Sequence, residues 1–134
     1  MATITRFEDL EIWQLARILC KKIYGLTYKE PLASDFRLKD QMRGSSGSIM
    51  DNIAEGFDRG SRFEFINSLS IAKGETGELK SQLYRSFDNI YISEAIFKEL
   101  YEDADILTKK TTNFITYLNS TKFKGQKFKN RDRK

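Results

Sequence analysis

The hydrophobic residues of this chain recur in four segments, at the steps of three and four that are typical of amphipathic helices. The first predicted helix covers about residues 7–26. The second begins at Ser34 or Asp35, since either side chain can cap a helix. The third covers about residues 62–87, with a heptad spacing of apolar positions along one side. The fourth covers about residues 93–118 and has an apolar stripe of its own.

Two interpretations are open for the middle of the second segment, which is residues 44–48 with the sequence GSSGS. A loop is the plain alternative, because each glycine inside a helix costs about 1 kcal/mol relative to alanine. We predict a continuous helix because the apolar period stays in phase across the run. Close packing between neighbouring helices is then expected at four glycines of the second and third segments: Gly44, Gly47, Gly74 and Gly77.

A tight turn is predicted between the second and third segments. Ser61 and Glu64 have the spacing of a capping box, in which the serine oxygen accepts the Glu64 amide and the carboxylate reaches back. Gly56 and Gly60 are expected to supply backbone freedom on either side of the turn. This arrangement predicts a helical hairpin in the middle of the chain.

Four amphipathic segments with short connections predict an all-α fold, namely an antiparallel up-and-down four-helix bundle. We assign this bundle to residues 1–118. Residues 119–134 follow the last apolar position and are predicted to form a disordered basic C-terminal tail.

The chain has no histidine and a single cysteine. Imidazole-assisted serine or cysteine catalysis and imidazole metal ligation are therefore excluded. Asn52, Glu55 and Glu78 could still act as an acid–base set. A structural role is the stronger interpretation, in which Asn52 and Glu78 link the second and third helices. We predict no enzymatic activity, no metal site and no cofactor.

Several aromatic residues lie outside the apolar stripes and could stack on nucleic-acid bases. Core packing and subunit contact are the plainer roles, because large aromatic side chains dominate both. Both interpretations apply to the same five residues: Phe63, Tyr84, Phe87, Tyr91 and Tyr101.

The sequence contains no run of about 18 apolar residues that would span a membrane. Its first residues, MATITRFEDLEIW, lack the charged and apolar regions of a signal peptide. We therefore expect a cytoplasmic protein with no membrane contact.

The net charge of +4 is unevenly distributed. Residues 119–134 hold seven Lys or Arg and one Asp, whereas the rest of the chain has slightly more acids than bases. A segment of this kind suits contacts with phosphate groups, and the alternative is a terminus that only aids solubility. The candidate nucleic-acid-binding residues of the tail are Lys122, Lys124, Lys127, Lys129, Arg131, Arg133 and Lys134. We add Arg59 and Arg62, which Asp58 and Glu64 partly neutralise.

Two motifs lie in the middle of the chain, NIAEG at residues 52–56 and the pattern Ala-x-Gly-x-x-x-Glu formed by Ala72, Gly74 and Glu78. With these motifs the chain resembles the bacterial four-helix-bundle family of 23S rRNA intervening-sequence proteins, over about residues 5–118. Further matching residues are Gln41, Arg43, Ser48, Ile49, Arg59, Phe65 and Leu83. A structural role is assigned to the motif residues Asn52, Glu55, Gly56, Gly74 and Glu78.

The resemblance implies a four-helix bundle that assembles as a ring-like homopentamer and has no catalytic activity. A related group is the accessory protein of diversity-generating retroelements, which binds nucleic acid and a reverse transcriptase. We therefore predict a non-enzymatic homo-oligomer that binds RNA or DNA through charge, with a reverse transcriptase as a further candidate partner. The alternative is a scaffold or adaptor whose partner is a protein.

Overall fold

The structure, a computed structural model, describes residues 3–120. Within that range it contains four α-helices, α1 (Glu11–Thr27), α2 (Phe36–Asp58), α3 (Arg62–Asp88) and α4 (Glu94–Asn119), and no strand. Short 3-10 turns at Phe7–Asp9 and Leu32–Ser34 precede α1 and α2. Each helix packs against the next one in the chain, and α4 also packs against α1. The predicted four-helix bundle is confirmed.

The helices begin where the sequence provides caps. The Asp35 carboxylate accepts the Leu38 amide at 3.1 Å, so Asp35 is the N-cap of α2. Ser93 accepts the Ile96 amide at 3.2 Å at the start of α4. The prediction for the start of the first helix was wrong, because Leu10 has an extended backbone (φ −78°, ψ 127°) that separates α1 from the preceding turn.

The run of small residues at 44–48 is helical, and α2 continues through it without a break. The expected close packing at its glycines is wrong for this chain. A Cβ placed on any of the four predicted packing glycines would meet nothing within 4 Å; these are Gly44, Gly47, Gly74 and Gly77.

Close packing between α2 and α3 occurs at Gly56 and not at the four glycines for which it was predicted. It lies inside α2, and the positive φ belongs to Gly60, at 77°. A Cβ on Gly56 would lie 2.4 Å from Ser68 Cβ and 2.8 Å from Ser68 Oγ, both on α3. The expectation of backbone freedom at Gly56 is therefore wrong. This glycine is needed because α2 and α3 approach closely just before the turn.

At the turn, one of the two hydrogen bonds of a capping box is formed. Ser61 Oγ accepts the Glu64 amide at 3.4 Å, as predicted. The reciprocal contact is absent, because the Glu64 carboxylate lies 3.5 Å from Arg59 Nη1 instead. Below the turn, the buried rings of Phe57 and Phe65 meet edge to face, with centroids 5.6 Å apart. This aromatic pair joins α2 to α3 in the core.

Candidate nucleic-acid interface

The bases that the sequence singled out on the bundle are engaged with acids or partly buried. Arg59 Nη2 lies 2.8 Å from Glu55 Oε2, and this hydrogen bond is the main cause that raises the pKa of Arg59. Arg62 is half-buried at the first position of α3. All seven predicted bases of the tail lie outside the described residues. The turn is therefore a poor surface for phosphate groups.

The predicted link between α2 and α3 through Asn52 and Glu78 is not formed. Asn52 Nδ2 donates to the Ser48 carbonyl at 2.8 Å, which is a contact within α2. Glu78 is exposed and forms no hydrogen bond or ion pair with any residue from 3 to 120. A buried glutamine makes the link instead, since Gln82 Nε2 donates to Ser45 Oγ at 3.0 Å.

An open groove of about 520 Å³ runs between α2 and α3 and is lined mainly by small and polar side chains, including Ser48 and Ser81. Gln82 Oε1 is buried beside it and has no hydrogen-bond partner among the described residues. Burial, followed by repulsion from Glu78, raises the pKa of Glu75 in its wall. We name this the α2–α3 groove. Its two carboxylates outnumber its one base, Arg85, which donates to Gln41 at 2.8 Å, so the groove does not favour phosphate.

Bases that border α4 are held by carboxylates. Lys22 of α1 lies 2.7 Å from Asp103 and 3.0 Å from Glu99, and hydrogen bonds to these two acids raise its pKa. Asp105 accepts from Lys80 of α3 at 2.9 Å and from Lys109 at 3.0 Å. These contacts, the α4 ion pairs, join α4 to both neighbouring helices and leave little free positive charge there.

On the side of the bundle formed by α1 and α2, three bases form no ion pair with a described acid. On α1 and its C-cap Tyr28, the residues at 13, 17, 24 and 28 share one side because they are spaced by four, seven and four positions. On α2, the residues at 36, 39 and 43 share one side by their own spacing, and Arg43 reaches the rings of Tyr24 and Tyr28. We define the α1–α2 surface by these seven residues: Trp13, Arg17, Tyr24, Tyr28, Phe36, Lys39 and Arg43.

Each base of the α1–α2 surface lies against an aromatic ring. Arg17 is 5.6 Å from the Trp13 centroid, and Lys39 is 4.9 Å from the Phe36 centroid. Arg43 contacts two rings of α1, described below. None of the three bases forms an ion pair with a described residue. The surface therefore offers cations and exposed aromatic area together.

Arg43 is the most constrained of these bases. Its guanidinium carbon lies 4.9 Å from the Tyr24 ring and 4.8 Å from the Tyr28 ring. Its Nε donates to Thr27 Oγ1 at 2.8 Å, and the buried Thr27 hydroxyl donates in turn to the Tyr24 carbonyl at 2.7 Å. Three residues at the end of α1 thus fix one side chain of α2.

The aromatic residues considered for base stacking occupy other places. Tyr84 and Tyr101 pack ring to ring with Phe97 between α3 and α4. The Tyr91 hydroxyl donates to Asp35 Oδ2 at 2.9 Å. Phe63 is 84% exposed and lies at the start of α3. The α1–α2 surface was not predicted from the sequence, although the helical spacing of its aromatic and basic residues was a signal for it.

No group of acidic or cysteine side chains within residues 3–120 is placed to hold a metal ion. None of the described helices is long and apolar enough to cross a membrane.

The fold places the chain among all-α four-helix bundles. The model of the 23S rRNA-intervening sequence protein family matches residues 8–113, and the chain belongs to that family. The family resemblance predicted from the two motifs together is confirmed. No curated protein sequence matches the chain.

A solved structure supports the fold. The chain is similar to a protein of unknown function from the S23 ribosomal protein family of Bacteroides thetaiotaomicron, with a TM-score of 0.73 and 24% sequence identity. The match covers 78% of this chain and 95% of the other. At this level of identity the likeness shows a shared bundle fold.

Proposed function

We propose that this protein is a cytoplasmic, non-enzymatic homo-oligomer that binds RNA or DNA mainly through charge. The α1–α2 surface carries this proposal, because its three bases lie among aromatic rings and contact no described acid. Binding to phosphates requires cations that are not already neutralised. The name of the family, which refers to sequences within 23S rRNA, supports a connection with RNA.

The tail extends the same proposal. Its seven bases follow α4 directly in the sequence and would add phosphate contacts to those of the bundle. We propose that bundle and tail both contribute, so that the tail is not the whole of the binding site.

We further propose that the subunits form a pentamer, as the resemblance implies. Two glycines that contact nothing within one chain, Gly44 of α2 and Gly74 of α3, support self-association, since they allow another helix to approach. A reverse transcriptase is the proposed protein partner, and this part rests on the resemblance alone.

The test combines mass and salt dependence. Light scattering should give a mass near five times the 15.6 kDa of one chain. Affinity for RNA and for duplex DNA should fall linearly with salt on a log–log plot. A chain shortened to residues 1–120 should bind more weakly and with a smaller slope, but should still bind. Absence of binding by the full chain at low salt would overturn the nucleic-acid proposal.

The scaffold alternative is favoured by one observation, the α2–α3 groove. Its buried Gln82 Oε1 has no partner in the described chain, and its walls are polar, with two carboxylates and one base. A protein segment that donates hydrogen bonds would satisfy that oxygen. Under this alternative, nucleic acid would not bind, and association with a protein partner would depend only weakly on salt.

A further inference from the structure

We infer that Arg43 binds a phosphodiester group of single-stranded nucleic acid, while the exposed ring of Tyr28 stacks on a neighbouring base. This inference rests on the proposed function. It adds the position of the contact and the strand state of the ligand, which charge alone does not specify.

The geometry of Arg43 suits a phosphate. Its Nε is occupied by Thr27 Oγ1, and its guanidinium lies against the Tyr24 and Tyr28 rings. The remaining N–H groups of the guanidinium have no acceptor among residues 3–120. A planar guanidinium offers paired donors that match two phosphate oxygens. Because the fold already fixes this side chain, less conformational freedom is lost when an anion binds.

The tyrosine beside it is available to a ligand. Tyr28 remains 70% exposed although Arg43 packs on it, whereas Tyr24 is 37% exposed. Phe36 lies on the same α1–α2 surface and is 68% exposed, with the Lys39 ammonium group over its ring. Two exposed rings, each with a base beside it, can follow a strand whose phosphates and bases alternate.

The preference for single-stranded nucleic acid follows from the exposed aromatic rings. In a duplex the faces of the bases are stacked on one another and are not accessible to a protein ring. Unpaired nucleotides expose those faces, and every base has one, so stacking does not require a particular sequence. Tyr28 therefore favours single strands, while the phosphate contact of Arg43 is common to RNA and DNA.

A purely structural role is the competing explanation, since Arg43 also connects α2 to the end of α1. In that case its replacement would lower stability without changing the preference for single strands. Conservative variants separate the two roles. Arg43→Lys keeps the charge but loses the planar donor pair, and Tyr28→Leu removes an exposed ring outside the core.

The experiment measures the affinity of the full chain for short single strands of mixed sequence, RNA and DNA, and for the matching duplexes. Tyr28→Leu should weaken single-strand binding by roughly fivefold to a hundredfold, the range for removing one stacking ring. Arg43→Lys should weaken it too, with the salt slope unchanged because the charge is kept. RNA and DNA strands should lose affinity alike.

Matched controls lie at the α2–α3 turn. Arg59→Lys changes a base that is already paired with Glu55, and Phe63→Leu removes a ring that is 84% exposed. Both should leave affinity unchanged, and Tyr28→Phe, which keeps the ring, should bind like the natural chain. Urea denaturation of every variant checks the fold.

The outcomes are distinct. If Arg43→Lys and Tyr28→Leu bind single strands as tightly as the natural chain, the inference is overturned and the proposed function stands. Equal affinity of the natural chain for single strands and duplexes overturns it as well. If the full chain binds no nucleic acid at low salt, the proposed function fails first.

Discussion

The basic residues in two regions of the bundle have different contact partners. In the α4 ion pairs, lysines lie 2.7–3.0 Å from carboxylates and connect neighbouring helices. On the α1–α2 surface, bases lie over aromatic rings and contact no described acid. A count of charges over the bundle hides this difference, because it does not record which bases already have an acid partner. The position of the acids decides which side can attract a polyanion.

The largest expected effect comes from reversing charge on one region at a time. Replacement of Arg17, Lys39 and Arg43 by Glu should lower nucleic-acid affinity by roughly a thousandfold at low salt and reduce the log–log salt slope by about three. Filter binding across a salt series would measure both quantities.

The matched control applies the same change of charge to exposed bases that already have acid partners: Arg59, Lys98 and Lys109. Its affinity should fall much less. An equal loss in the two triple variants would mean that only net charge matters, and the comparison between the regions would be broken.

A smaller effect, on stability, is expected from alanine at two glycines of α2. Gly56 faces α3, where a Cβ would lie 2.4 Å from Ser68 Cβ. Gly56→Ala should therefore lower the free energy of unfolding by about 2 kcal/mol through overpacking. Urea denaturation measures this change, and an unchanged midpoint would show that the two helices separate easily at this position.

A substitution at Gly47 tests a side of α2 on which the glycine has no close neighbour. It lies one turn after Arg43, and a Cβ there would meet nothing within 4 Å. Gly47→Ala should raise the free energy of unfolding by about 1 kcal/mol, because alanine favours the helix without meeting a neighbour. A loss of stability in the same urea assay would mean that another chain packs on this side in the assembly.

These two glycines show which features of the fold could be predicted from the sequence and which could not. Periodicity and capping rules predicted the four helices, because an N-cap such as Asp35 or Ser93 acts through amides three residues away. The residues that neighbour a glycine in the sequence do not show whether another helix packs against it. Gly56 and Gly47 look alike in the sequence, and only the position of α3 shows that one is crowded and the other is not.

The α1–α2 surface was missed for a similar reason. Trp13 and Tyr24 lie beside the apolar stripe of α1, and the pattern places them at the border of the core. Whether a border residue is covered depends on the neighbouring helix. Here Tyr24 remains 37% exposed and receives Arg43, a contact between residues 19 positions apart. A rule based on spacing within one helix cannot predict a pair formed across two helices.

The smallest expected effect is a pH dependence of the α4 ion pairs, which the bases of the α1–α2 surface do not share. Hydrogen bonds from Lys80 and then Lys109 hold the pKa of Asp105 below its ordinary value of 3.8. A carboxyl group whose pKa is lower in the folded state stabilises the fold above its unfolded pKa, and this contribution is lost as pH falls through the folded value. Asp105→Asn should therefore lower the thermal midpoint at neutral pH, and its curve should converge with that of the natural chain as the pH falls below 3.8. Arg43→Ala should keep the acid dependence of the natural chain, since no described acid pairs with Arg43. Parallel curves for Asp105→Asn and the natural chain would show that the α4 ion pairs do not stabilise the bundle, and the two regions would then differ in geometry but not in energy.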